Sequence, residues 1–407
     1  MKRLIRRSLA VMVLSLPGAL SPALAQSNPP PCQKDMAFGP WLEHFLQEAR
    51  QRGVNDATIA ASRPHLVLDP SILPRDTAQG VFQQSFLQFS GRMISQGRIQ
   101  KGTRLVQTHR ELFQRIERDF GVPAEVLVAF WALETDFSSN LGNRSTLGAL
   151  TTLAYDCRRS SLFRFELLSA LKIVQRGDLS PAEMRGAWAG ELGGLMMSAS
   201  NYLQHGLDYD GDGRRDLLHS VADTMGTAAK LLVNRGWKRG EPWLREVRLP
   251  KQMPWEEGDL SIQHPQREWL QWGVRAAKGE LPADDTPASL LMPMGHLGPA
   301  FLAYGNFKAY LGWNSSLIYA MTAAHLAGRI AGEPAVGRGN GVVNPLSIAQ
   351  VKEIQELLIR RGEDVGTADG KMGAKTRAAI RRAQLRLGLP ADSYPTLELL
   401  ERLRSGR

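Results

Sequence analysis

Apolar positions recur at helical spacing through most of this 407-residue chain. Between Phe38 and Arg52, the residues Trp41, Leu42, Phe45, Leu46 and Ala49 share one helical face, and Gly53 closes the run. Residues 62–75, with Pro64, Pro70 and Pro74, read as loop or short extended pieces. Residues 78–119 read as helix again, broken near Gly91, Gly97 and Gly102. Leu127, Phe130, Trp131, Glu134 and Phe137 then stand at i, i+3, i+4, i+7 and i+10, which predicts a helix with Pro123 at its first position. Ser138-Ser139-Asn140 and Gly142 stop it. Further helices are predicted over 161–176 and 220–235 and from Asn314 to Ile330, with Ser180, Pro181 and Glu183 marking another helix start. Residues 237–290 are rich in Trp and Pro, with short extended character at 241–250 and 261–275. The pattern therefore predicts a mainly α chain. Past a Gly-rich linker at 333–344, a capping box (Ser347, Gln350), a helix over 375–387 and the run Leu397, Leu400, Leu403 predict a small three-helix bundle at 345–407.

Composition refines this picture in three ways. The chain is long enough for two or three domains, and its 43% apolar and 22% charged residues are ordinary for a globular protein. Residues 1–25 read as a secretory signal peptide: Lys2, Arg3, Arg6 and Arg7 precede an apolar run and Ala23-Leu24-Ala25. A short leader follows at 26–34. No lipid anchor is expected at Cys32, and no other run is apolar enough to span a bilayer. An exported, periplasmic protein is implied. The net charge of +10 falls to about +6 without the signal, which suits a polyanionic partner. Export argues against nucleic acid. In an oxidising compartment Cys32 and Cys157 predict a disulfide, the alternative being two free thiols.

The sharpest candidate for chemistry is Glu134, the one carboxylate on an aromatic stripe. Desolvation disfavours the charged form and raises the pKa, and an acid still protonated near neutral pH can protonate a glycosidic oxygen. The plainer reading is a helix-end Glu reaching solvent or an Arg. The stretch from Gly186 to Tyr202 is dense in small residues, which permit either close approach to a ligand or tight packing. Asp208, Asp210 and Asp212 with Gly213 form the front half of an EF-hand loop. The Arg214 carbonyl and Asp223 are the remaining candidate ligands, because His219 occupies the position of the closing acid. The alternative is an acidic turn without metal. Asn314 and its neighbours offer polar groups at a helix start, for capping or for sugar hydroxyls. The eight histidines contain no His-x-x-x-His pair, which weighs against a metalloenzyme.

The run Phe130-Trp131-Ala132-Leu133-Glu134-Thr135-Asp136-Phe137, with Gly142 and Leu150-Thr151-Thr152-Leu153-Ala154-Tyr155-Asp156 after it, resembles the membrane-bound lytic murein transglycosylase B family. The resemblance implies a lysozyme-like catalytic domain with small inserted segments over 35–332. It makes Glu134 the single general acid/base for cleaving the bond between N-acetylmuramic acid and N-acetylglucosamine, leaving 1,6-anhydromuramic acid ends. No cofactor is then needed for the chemistry, and any Ca²⁺ is structural. The family's groove motifs imply Trp188, Ser200 and Tyr202 on one side. On the other they imply Tyr304, Trp313, Asn314, Ser316 and Tyr319. Gln355, Asp369-Gly370, Gly373, Thr376 and Gln384 make the terminal bundle similar to the peptidoglycan-binding domain of type 1. Peptidoglycan glycan strands are the implied partner, with other cell-wall enzymes a further one. The chain departs from the family where two groove glutamines become Gly194 and Met196, a proline becomes Ala199, a glycine becomes Ser138 and a tyrosine becomes Trp313. Those losses motivate an alternative, a catalytically weak or inactive wall-binding or scaffold protein.

Overall fold

The computed structural model describes Cys32, residues 34–77 and residues 84–406. The signal-peptide reading of 1–25 and most of the leader reading of 26–34 lie outside the described residues. The chain is mainly helical, with a small sheet inserted late and a helical module at its end.

At the centre lies the helix Ala124–Thr135. Ten of its twelve residues are buried, and only Glu125 and Glu134 escape. The expected apolar stripe is thus too narrow a description. The helices Gln96–Thr108, Arg110–Phe120, Val221–Asn234 and Leu317–Ile330 all pack against it. A helix packed on every side is apolar on every side. Pro123 is its N-cap rather than its first turn. Gly102 does not break its helix. It lies inside Gln96–Thr108, where a Cβ would fall 2.8 Å from Ile330 and 3.3 Å from Val128. The breaks come instead at Ile94–Ser95 and at His109.

Ser180 and Glu183 do exchange capping bonds: Ser180 N–H donates to Glu183 Oε2 (2.7 Å) and Glu183 N–H to Ser180 Oγ (3.3 Å). No helix follows, because Arg185–Gly186 pairs antiparallel with Arg144–Ser145. The local start signal is overridden by strand pairing.

The inserted sheet has five antiparallel strands in the order His264–Pro265, Pro287–Leu291, Ala300–Ala303, Leu244–Arg248, Arg275–Ala276. It encloses its own core of Trp269, Val274, Leu290, Leu302 and Tyr304. Two of its strands, Pro287–Leu291 and Ala300–Ala303, were not anticipated. Both are buried on the two faces, so they lack the alternation that betrays a strand.

The terminal helices Ile348–Arg360, Ala374–Arg386 and Leu397–Ser405 close on Ile354, Leu358, Ile380, Leu399 and Leu400. Gln355 sits among them and is fully satisfied: it donates to the Lys371 carbonyl and Thr376 Oγ1 and accepts from Gly370 N–H. This module leans on the sheet. His296 Nδ1 meets Asp392 Oδ2 at 2.6 Å, and Arg377 and Arg381 donate to the carbonyls of Met292 and Glu256. The Gly-rich segment before it is tied down rather than free. Gly337 N–H donates to Glu246 Oε1 (2.7 Å), and Asn340 donates to the carbonyls of Leu297 and Leu249. Cys32 and Cys157 form the expected disulfide, joining the entry to the first helix, Phe38–Gln51, with the loop after Thr146–Tyr155.

Candidate active site

Glu134 is the penultimate residue of the central helix. Tyr319 Oη donates to its Oε1 at 2.5 Å and Trp313 Nε1 donates to the same oxygen at 3.0 Å. Both donors come from one turn of chain. The helix Phe307–Trp313 ends at Asn314, and Leu317–Ile330 begins behind its N-cap Ser316. Asn314 Oδ1 accepts Ser316 N–H (2.9 Å) and Ser316 Oγ accepts Tyr319 N–H (3.4 Å). The expected helix start at Asn314 is therefore two residues early, and this pair fixes the turn that aims Trp313 and Tyr319. Phe130 stacks on Trp313 with ring centroids 4.4 Å apart, and the Arg235 guanidinium lies 5.6 Å from the Trp313 ring.

Burial pushes the Glu134 carboxyl above the usual carboxylate range. The bonds from Tyr319 and Trp313 pull it part of the way back, and the charge of Glu191 adds to the rise. Since both donors occupy Oε1, the proton of the acid form belongs on Oε2.

The loop after the acid is strained. Asp136, Phe137 and Ser138 have φ of 52°, 61° and 62°, a left-handed run with no glycine in it. Each such residue costs roughly 1–2 kcal/mol. Phe137 N–H to the Trp131 carbonyl (3.1 Å), Ser138 N–H to Thr135 Oγ1 (2.9 Å) and Trp131 Nε1 to Ser138 Oγ (2.8 Å) hold it. Thr135 Oγ1 also donates to the Gly194 carbonyl at 2.6 Å, which ties this loop to the small-residue stretch.

That link explains two of the departures together. A Cβ on Gly194 would fall 2.8 Å from Ser138 Oγ and 3.2 Å from Trp131 Nε1. The serine hydroxyl fills the space into which a larger residue at 194 would project. Ser138 and Gly194 are one matched pair, and restoring glutamine at 194 alone produces a clash.

The sequence-derived wall residues divide into two groups. Trp313 and Tyr319 touch the acid directly, Asn314 and Ser316 shape their turn, and Trp188 is half-buried against the main core. Ser200 turns away to Glu166, giving it both an N–H (2.8 Å) and an O–H (2.7 Å). Tyr202 and Tyr304 must be withdrawn as sugar contacts. Tyr202 is fully buried with its hydroxyl on the Arg215 carbonyl, and Tyr304, 3% exposed, donates to Gln266 Oε1 inside the sheet core. Sequence reasoning missed Glu191, Arg159 and Arg235. The available signal for Glu191 was a single acid between Gly190 and Gly193 in an otherwise uncharged stretch.

In the acidic loop, the carboxylates of Asp208, Asp210 and Asp212 place oxygens within 4.8 Å of one another. That donor set suits a hard divalent cation. Arg214 follows with its N–H on Asp212 Oδ1 (2.8 Å). Asp223 does not join them. It is buried, and its two oxygens accept N–H groups from Tyr209 (2.6 Å), Asp210 (3.3 Å) and Asp216 (2.7 Å), so it organises the loop backbone instead.

The chain belongs to the transglycosylase SLT domain family, whose match runs over residues 37–328. Residues 347–403 match a peptidoglycan binding domain family. Among solved structures, the chain is similar to SltB3 from Pseudomonas aeruginosa in complex with NAG-anhNAM-pentapeptide, at 36% identity and a TM-score of 0.84 over 90% of this chain and 99% of that one. Soluble lytic transglycosylase SltB1 from the same organism is 26% identical with a TM-score of 0.62, over 71% of this chain and 97% of that one. Membrane-bound lytic murein transglycosylase B of Escherichia coli (strain K12) is 28% identical over 158 residues, 39% of this chain and 44% of that protein. The matched stretch thus spans less than half the length of that relative. Escherichia coli Slt35 in complex with calcium, at 22% identity and a TM-score of 0.61 over 71% of this chain and 92% of that one, shares the fold.

Proposed function

We propose that the chain is a lytic transglycosylase that cleaves the β-1,4 bond between N-acetylmuramic acid and N-acetylglucosamine in peptidoglycan. The observation that carries this reading is the enclosed Glu134 carboxyl with two donors on one oxygen. Glu134 gives its Oε2 proton to the leaving glycosidic oxygen. The resulting carboxylate takes the proton of the muramic acid C6 hydroxyl, whose oxygen closes the 1,6-anhydro ring. Tyr319 and Trp313 stabilise the charge that appears on the carboxylate between the two steps. One carboxylate suffices because the sugar's own hydroxyl replaces water, whereas most glycoside hydrolases use two. The presence of the acid and its two donors favours an enzyme over an inactive wall-binding protein.

The signal-like residues 1–25 support export to the periplasm, and the match of residues 347–403 to a peptidoglycan binding domain family supports retention of the chain on the wall. Asp208, Asp210 and Asp212 would hold a Ca²⁺ ion with a structural role, because the loop's bonds run to its own backbone and not to Glu134. No helix among the described residues is long and apolar enough to cross a membrane. Mass spectrometry of fragments released from purified peptidoglycan tests the proposal, with Glu134→Gln as control. Fragments ending in 1,6-anhydromuramic acid, absent with the variant, are expected. Free reducing ends would make the chain a hydrolase, and no release by either protein would leave only wall binding.

A further inference from the structure

The left-handed run Asp136–Ser138 begins two residues after the acid and contains no glycine. A phenylalanine at positive φ persists only where its surroundings fix it. The bonds among Trp131, Thr135 and Ser138 fix the run from inside. From outside, the helix Gln96–Thr108 reaches it at four points. Arg98 Nε donates to Asp136 Oδ1 (3.1 Å). Lys101 Nζ donates to the Asp136 carbonyl (3.4 Å) and to Ser139 Oγ (3.3 Å), and stands 4.9 Å from the centre of the Phe137 ring. Arg98 is itself anchored: its N–H donates to Ser95 Oγ (3.2 Å) and its Nη1 to the Met93 carbonyl (2.8 Å). One turn further along, Gly102 seats this helix against Val128 of the acid's own helix and Ile330 of the helix that carries Tyr319. An open cavity of about 350 Å³, lined by Arg98, Lys101, Asp136 and Phe137 among others, borders the run on this side, so packing does not replace these contacts.

The last carbonyls of a helix need partners from beyond it. Here the left-handed turn at Asp136 lets Phe137 N–H reach back to the Trp131 carbonyl (3.1 Å), a Schellman-type closure. Glu134 lies inside the turn closed in this way. We propose that Arg98 and Lys101 are positioning residues for the acid: they hold the left-handed run, and with it the last turn of the central helix, so that Glu134 Oε2 keeps its aim at the leaving oxygen. A misplacement of about 1 Å in a reacting group costs up to about a hundredfold in rate. A partly exposed ion pair such as Arg98–Asp136, with side chains 22% and 38% exposed, adds little to global stability. The two cations are therefore felt in turnover more than in melting. This inference rests on the role of Glu134 proposed above and assigns that acid the residues that aim it.

Steady-state kinetics of the full-length protein on a soluble, uncross-linked glycan tetrasaccharide test it. Arg98→Ala should lower kcat by about tenfold or more with KM within about twofold of the parent, and Lys101→Ala should act in the same direction by less. At position 136, alanine and glycine both remove the carboxylate, but only glycine takes positive φ without steric cost. With Arg98 in place in both, Asp136→Ala should therefore lose about fivefold more kcat than Asp136→Gly. An unchanged kcat in Arg98→Ala, or a change confined to KM, overturns the positioning role and, with Glu134→Gln inactive, leaves the catalytic reading standing. Equal losses in Asp136→Ala and Asp136→Gly overturn it too. An active Glu134→Gln protein overturns both. The comparison at position 136 leaves both cations in place, so a folding defect in Arg98→Ala cannot obscure the answer.

Discussion

Two groups of carboxylates in this molecule are built on opposite principles. Glu134 is a single acid among aromatic rings, met by a phenol and an indole, and the charge of Glu191 adds to the rise in its pKa. The Asp208–Asp212 loop gathers three acids at the surface, and backbone N–H groups of its own turn bond them: Gly211, Asp212 and Gly213 all donate to Asp208. Enclosure makes the lone carboxyl hard to ionise, which an acid catalyst needs. Exposure leaves the clustered ones open to solvent with their oxygens gathered in one turn, the kind of donor set a hard cation takes. The difference lies in the surroundings and not in the residue type.

The comparison can be broken at several points. The largest effect is expected at the acid itself: Glu134→Gln should lower turnover of peptidoglycan by about a thousandfold or more, the scale of general acid–base catalysis. Residual activity above a tenth of the parent would relocate the acid. Next is Asp223→Ala, which removes the acceptor of three backbone N–H groups. A loss of about 3 kcal/mol in urea unfolding is expected, since each orphaned buried donor costs about 1 kcal/mol or more. A loss near zero would mean that the loop re-forms without it. Calcium should raise the unfolding free energy by about 2–3 kcal/mol at a hundredfold excess over its Kd. Chelation or the pair Asp208→Asn/Asp212→Asn should abolish that gain without changing turnover. An unchanged melting temperature on adding calcium would remove the metal from the account.

Tyr319→Phe is expected to cost about tenfold in kcat, a hydrogen bond to a charged group being worth about 1.5 kcal/mol. Its signature is in the pH profile. The phenol lowers the Glu134 pKa, so its loss raises that pKa, and the alkaline limb should move to higher pH. A limb that stays in place would show that Tyr319 only fills space. The smallest effect is on stability. Because folding raises the Glu134 pKa, its stability contribution is complete below the unfolded carboxyl pKa and is lost as pH rises through the folded value. Glu134→Gln should therefore melt slightly higher than the parent at pH 7, by ~2 °C, and equal to it at pH 4. A variant that melts lower at both values would mean that packing, not charge, dominates there.

Several of these features were legible in the residues. The acid, its helix, the disulfide, the front of the acidic loop and the three helices of the terminal module all carry short-range signals: periodicity, capping residues, cysteine count, aspartate spacing. The misreadings share a cause. Tyr202 and Tyr304 stand in the groove motifs the resemblance implied, yet only long-range packing put their hydroxyls onto Arg215 and Gln266. Ser180 and Glu183 form their capping bonds without a helix because a partner strand 41 residues upstream claims the chain, Gly186 pairing with Arg144 and Arg185 with Ser145.

By itself, then, the sequence determined most of the longer helices, which carboxylate stands among aromatic residues and which two cysteines are available to join. Those properties follow from residue type and spacing within a few turns of chain. Only the tertiary structure decided that Ser138 and Gly194 are one exchange and that Asp223 serves the backbone. Distances between residues remote in the chain depend on how whole elements pack, and desolvation, which sets what a carboxylate can do, is a property of that packing.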